Sequence, residues 1–157
     1  VVPQSSADPP VPSLGLLDRV ESTLADHAPA SVVGAERLVV RGPSYVSVAV
    51  EADVVAGDVG SLNAVEGDCR EAIRSYLHPL TGRGGDGWEF GDLPTRSDLF
   101  TLLEAVDGVD HVESLFVTFA GEDRLTVGEG EAQPTAAGDA LVRSGEHELT
   151  VSLGGGD

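Results

Sequence analysis

The run Gly82-Arg83-Gly84-Gly85-Asp86-Gly87 invites a phosphate-cradling reading. That chemistry needs a strand before the loop, a Lys-Ser/Thr pair after it and a helix starting there. No Lys follows, and a helix-like segment ends at the loop instead of starting, so the run reads as a turn. Asp86, Glu89 and Asp92 raise calcium, but their order does not match the twelve-residue loop closed by a bidentate Glu. The four histidines, His27, His78, His111 and His147, are far apart and form no His-x₃-His pair. His78, before Pro79, is expected to cap a helix C-terminus as an imidazolium. Ser44, Ser114 and Ser144 lack a nucleophile-elbow context. With 27 acidic residues, no single carboxylate pair points to glycoside chemistry. The single Cys69 excludes an intramolecular disulfide and falls at an apolar helix position, where a small buried hydrophobe is expected. No catalytic residue, cofactor site or metal ligand is assigned.

The same stretch carries a structural signal instead. It holds the only Trp, and five of the 20 glycines fall between Gly82 and Gly91. Glycine density lets the backbone take positive φ and turn sharply. Trp88 and Phe90 then supply large apolar surface to bury, so the loop is expected to be folded and packed.

The elements that hold this loop follow from periodicity. Residues 1–13 contain four prolines and read as a linker or extended arm. Leu14, Leu17, Val20 and Leu24 mark an amphipathic helix to about His27, ended by Pro29. Val32-Val33 and Leu38-Val39-Val40 are candidate strands. From Tyr45 to Val54 the even positions are apolar, which predicts a strand with one core face and one wet face. Ser61 is the expected N-cap of a helix to about Leu77, with Leu62, Val65, Cys69, Ile73 and Tyr76 on its apolar stripe. Thr95 or Ser97 caps the next helix, edged by Leu99, Leu102, Leu103 and Val106. Val109 to Phe119 is a strand, and Leu125-Val127 a short one. Leu141-Val142-Arg143 and Glu148 to Leu153 are expected to close a hairpin around Ser144-Gly145. The order predicts an α+β fold, a mainly antiparallel sheet with helices packed on one face. The folded part is placed at 14–153, with lobes at 14–119 and 120–153 as an alternative, and 154–157 as a disordered tail.

The strand from Tyr45, the segment Tyr76-Leu77-His78-Pro79-Leu80-Thr81-Gly82, the loop Gly87-Trp88-Glu89-Phe90-Gly91 and the run Leu102 to Val112 form an ordered set. Together with a weaker echo at Leu141 to His147, this set resembles the baseplate-assembly (J-like) wedge proteins of contractile phage tails and contractile injection systems. It covers roughly residues 33–152, the C-terminal part of such proteins. The resemblance implies a structural subunit, not an enzyme. Wedge subunits of this kind pair and link into a six-fold ring around the spike and tube, and relay the trigger for sheath contraction. It also implies Trp88, Phe90, Pro79, Leu80, Gly82, Gly87, Gly91, Tyr76 and Leu17 as structural or interface residues. Val1 is not an initiator Met, so the chain is expected to belong to a longer polypeptide.

Charge points to the setting. Acids outnumber bases 27 to 9, every base is Arg, and the net charge is −18. Self-repulsion of that size is relieved when molar salt shortens the Debye length to roughly 3 Å. A high-salt cytoplasm, or a particle released from a halophile, is therefore expected, against a partner with a basic surface as the competing reading. Clustered Lys/Arg for phosphate contacts is missing, which disfavours nucleic acid. No apolar run reaches the ~20 residues of a membrane span. Two other functions stay open: a ligand- or partner-binding α+β module with a concave apolar pocket near the glycine loop, and a carboxylate-dependent hydrolase with converging acids in a dry site.

Overall fold

A computed structural model describes residues 1–5, 7, 9–29, 38–58, 62–121 and 123–154. The chain divides into two compact units, Val1–Ser44 and Tyr45–Asp157. Among its described residues the first holds one helix, α1 (Leu14–His27). Ser13 caps it, its hydroxyl accepting from the Leu16 N–H, and the Ala28 N–H closes its last turn on the Leu24 carbonyl. No residue of α1 is buried, and Leu14 and Leu24 are 79% and 45% exposed. Leu38-Val39-Val40, expected as a strand, carries no ladder, and Val39 is exposed. Val32-Val33 lies outside the described residues, as does Ser61.

The second unit is an α+β fold built on a five-stranded sheet. Its strands are β1 (Ser44–Ala56), β2 (Val109–Ala120), β3 (Arg124–Val127), β4 (Ala140–Ser144) and β5 (Glu148–Leu153). The sheet order is β3-β2-β1-β4, with β5 also pairing β1. Residues 120–153 thus complete the sheet that β1 and β2 begin. β1 runs antiparallel to β2 and β2 to β3, whereas β5 runs parallel to β1.

The alternation in β1 decides its orientation. Val48, Val50, Ala52 and Val54 are buried; Glu51 and Asp53 on the opposite face are exposed. Antiparallel register carries the same rule to β2, where Leu115, Val117 and Phe119 are buried and Phe116 is exposed. Helices α2 (Leu62–Tyr76) and α3 (Arg96–Glu104) supply the matching apolar stripes: Val65, Cys69, Ile73, Leu99 and Leu103 are all buried. α2 packs on β5, α3 on β2, and the two helices touch. Thr95 caps α3 through a reciprocal box: its hydroxyl accepts from the Asp98 N–H while the Asp98 carboxylate accepts from the Thr95 N–H.

The expected hairpin at Ser144-Gly145 is not formed. β4 and β5 instead lie one after the other along the same edge of β1. Gly145 does not take positive φ, and its N–H donates to the Val48 carbonyl at 2.8 Å. A Cβ there would come within 2.8 Å of Ser47 Oγ and 3.0 Å of the Val48 carbonyl oxygen. Glycine is needed for close backbone approach and not for a reversal.

Candidate functional site

Between α2 and α3 the chain forms a loop closed on itself. Leu77 and His78 finish α2, with the Leu77 N–H on the Ile73 carbonyl. The His78 ring then turns to the residues after it. Its Nδ1 accepts from the N–H groups of Leu80 and Thr81 at 3.3 and 3.2 Å and lies 2.9 Å from the Thr81 hydroxyl. An accepting nitrogen is the bare nitrogen of imidazole, so the expected imidazolium cap on the α2 carbonyls is replaced by a cap on the following turn. Pro79 is buried and Leu80 half-buried beside it.

Gly82 and Gly87 make the crossing possible. A Cβ on Gly82 would collide with the Tyr76 and His78 carbonyl oxygens; one on Gly87 would lie 2.7 Å from that of Leu80. Gly87 also needs a φ of 75°. The N–H groups of Gly82, Gly87 and Trp88 donate to the carbonyls of His78, Gly82 and Pro79 at 2.8, 3.0 and 2.9 Å. Between them Arg83, Gly84 and Gly85 all have positive φ, in a short 3₁₀ turn.

Trp88 is the anchor, 8% exposed. Its indole N–H donates to the Tyr76 carbonyl at 2.9 Å, so its one polar atom is satisfied. The Tyr76 ring meets it edge-on, centroids 5.4 Å apart and planes at 90°. Burial, then the Asp98 carboxylate, raise the Tyr76 phenol above its ordinary range, while Arg83 opposes them. The Arg83 guanidinium sits 5.4 Å from the centre of the indole ring and donates to Asp92 at 2.8 Å. This salt bridge is half-exposed, so its worth is geometric: it fixes the cation over the ring.

Phe90 departs from expectation. It is 50% exposed, not packed beside Trp88. The Asp92 N–H donates to the Glu89 carbonyl, which closes a turn over residues 89–92 with Gly91 at φ 85° in third place. Spacing by two puts side chains on one face only in a strand; in a turn the second residue points outward. The Gly91 N–H, donating to the Ala140 carbonyl at 2.8 Å, ties this turn to the start of β4. Tyr76, Pro79, Leu80, Gly82, Gly87, Trp88, Phe90 and Gly91 thus come together in one loop. Leu17, half-buried on α1, belongs to the other compact unit.

The chemistry-bearing side chains do not converge on this loop. Asp92 is taken by Arg83, and among the described residues no three His, Cys, Asp or Glu side chains gather as a metal site. Cys69 is fully buried, and burial, with Asp68 adding to it, pushes its thiol up to about 11, away from nucleophilic use. His27 bonds the Thr23 carbonyl and His111 pairs with Asp110.

One Ser–His contact does form: His147 Nε2 lies 2.7 Å from Ser144 Oγ. The other ring nitrogen decides what it can do. Nδ1 accepts from the Val50 N–H at 3.1 Å, so the proton sits on Nε2 and is donated to the serine. A ring that already donates to the hydroxyl cannot take its proton, and this pair is a structural bond between β4, β5 and β1. Burial, then Arg74 and Arg70, lower the His147 pKa to about 4, which keeps the ring neutral. The spacing of Ser144 and His147 alone does not reveal this role, because its partner, Val50, is 97 residues away.

Arg70 and Arg74 of α2, with Arg124, help line a hollow of about 640 Å³ beside His147. None of its lining residues belongs to the glycine loop, and most carry charge, unlike the apolar pocket expected of a binding module. No protein-family model and no curated protein matches this chain.

Proposed function

We propose that this chain is a structural subunit of a baseplate wedge in a contractile tail or injection system. The observation that carries the reading is the loop 76–92. Trp88 is buried and doubly bonded into it, whereas Phe90 is held outward on a turn fixed at both ends. A large apolar side chain on a backbone already ordered loses little entropy on binding, which is the economy of a protein–protein contact. Leu14 and Leu24 of α1 leave further apolar surface in the first unit. Two surfaces of a −18 chain meet closely only where apolar or Arg-paired contacts offset repulsion, and the loop offers Phe90 and Arg83 for that.

The role is mechanical: the subunit joins its neighbours into a six-fold ring around a spike and tube. The test is to image the chain within its parent particle at molar salt. The expected result is a ring with a neighbour on the Gly82–Gly91 side or on α1, burying above roughly 1,200 Å² in total. Phe90→Ser should dissolve the ring and leave the fold intact. Isolated monomers with no ring or wedge, together with turnover of a small substrate, would defeat the reading. The acid excess adds a second expectation, a melting temperature that climbs from dilute buffer into molar KCl; a flat profile would remove the high-salt assignment.

A further inference from the structure

The outer strands of the sheet are not closed off alike. β3 has only four residues. In β4, Ala140, Leu141 and Val142 are all buried. Short length and cover are two ordinary ways to keep an edge from pairing. β5 has neither. It runs six residues, and Thr150, Ser152 and Leu153 are exposed. Its one charge, Glu148, stands at its first residue, and neither charge nor proline falls from Leu149 to Gly154. Among the described residues its only strand partner is β1, and the N–H and C=O groups along its other side have no backbone partner.

The order of residues along β5 says what fits that edge. Register with β1 sets Leu149, Val151 and Leu153 beside the buried Ala52, Val54 and Ala56, and sets Thr150 beside the exposed Asp53. Laid antiparallel to itself about Val151, the strand puts Leu149 against Leu153, Val151 against Val151 and Thr150 against Ser152. Apolar residues meet apolar ones on one face, and hydroxyls meet hydroxyls on the other. Glu148 falls opposite Gly154, which has no side chain. Two chains of −18 net charge approach closely only where carboxylates do not oppose one another, and this register opposes none.

We propose that β5 pairs antiparallel with β5 of a second copy of this chain, about a two-fold axis at Val151, joining two five-stranded sheets edge to edge. The contact is isologous, so one surface serves both copies. The backbone groups that β1 leaves open supply the hydrogen bonds, and the half-buried Val151 and exposed Leu153 gain apolar cover from their counterparts. None of these residues belongs to the loop 76–92 or to α1, so this pairing and the wedge reading stand or fall separately.

Sedimentation of the chain in molar KCl, where repulsion between copies is screened, should show a monomer–dimer equilibrium with a Kd below about 100 µM. Single cysteines then test the register. In the proposed pair Val151 faces its own copy with Cα atoms about 4.5–5.5 Å apart, within disulfide reach. Thr150 faces Ser152 instead and lies beyond about 7 Å from its own copy. With oxidised glutathione, Val151→Cys should form a linked dimer at least about tenfold faster than Thr150→Cys, although Thr150 is the more exposed. The native Cys69 is buried and does not compete. A monomer at every concentration up to about 1 mM would overturn the proposal and leave the edge to a strand of another protein. Thr150→Cys linking as fast as Val151→Cys would overturn it too.

Discussion

The loop 76–92 and the junction 145–147 are two breaks in regular structure held by opposite means. In the loop, an aromatic N–H donates to a carbonyl only 12 residues back, and every backbone bond that closes it up to Trp88 is equally local. At the junction, an aromatic nitrogen accepts from an N–H 97 residues away. His147 stands where a strand carbonyl would, filling the gap between β4 and β5 on the edge of β1. The loop is a unit that closes within itself, whereas the junction exists only once β1 is beside it.

That difference can be broken at its strongest point first. Trp88→Ala removes a buried ring and orphans the Tyr76 carbonyl, at about 3–5 kcal/mol. Chemical denaturation should show this loss; a change near zero would mean that the loop contributes nothing to stability.

Next comes the junction. Gly145→Ala drives a Cβ against Ser47 and the Val48 carbonyl, and should cost about 1–3 kcal/mol even though φ there is ordinary. A neutral result would mean that β4 and β1 are not in close backbone contact.

His147→Leu leaves the Val50 N–H without an acceptor, a loss of about 1–3 kcal/mol at pH 7. The same ring predicts a pH dependence. Its folded pKa, about 4, lies below the unfolded value of 6.5, so the unfolded state binds the proton first. Its stabilising contribution is complete above pH 6.5 and is lost as pH falls toward 4. Carboxylates titrate near the lower end of that window, so the informative quantity is the difference between wild type and His147→Leu. Equal slopes from pH 6.5 to 5 would reject the neutral-ring assignment.

The smallest effect on stability belongs to Phe90→Ser, within about 0.5 kcal/mol, since the side chain is half in water already. A large loss would show instead that Phe90 belongs to the packed interior of the loop.

Much of the fold was legible because its signals are short-range. The 3.6-residue spacing of α1 and α2 and the alternation in β1 are each complete within a few residues, and Thr95 was one of the two caps expected for α3. Trp88 was legible for the same reason: glycines at 82 and 87 announce a crossing, and a lone Trp within it must go inside. Phe90 was expected inside because an aromatic offers apolar surface to bury, an argument that does not say which way a turn points the side chain. The outward pose depends on the Asp92–Glu89 bond, which residue types alone do not declare.

Composition and periodicity by themselves determined the three helices, the places of β1 to β5, the buried Trp88 and the acidic excess, though they also suggested a strand at 38–40 that carries no ladder. Only the tertiary structure decided which edge β5 joins, because a glycine that permits close approach and one that permits reversal look alike until the neighbouring strand is present. It also decided the tautomer of His147, since its partner, the Val50 N–H, is distant in sequence. Local bonds are specified by local chemistry; long-range ones wait on loop closure and on the burial that the whole sheet supplies.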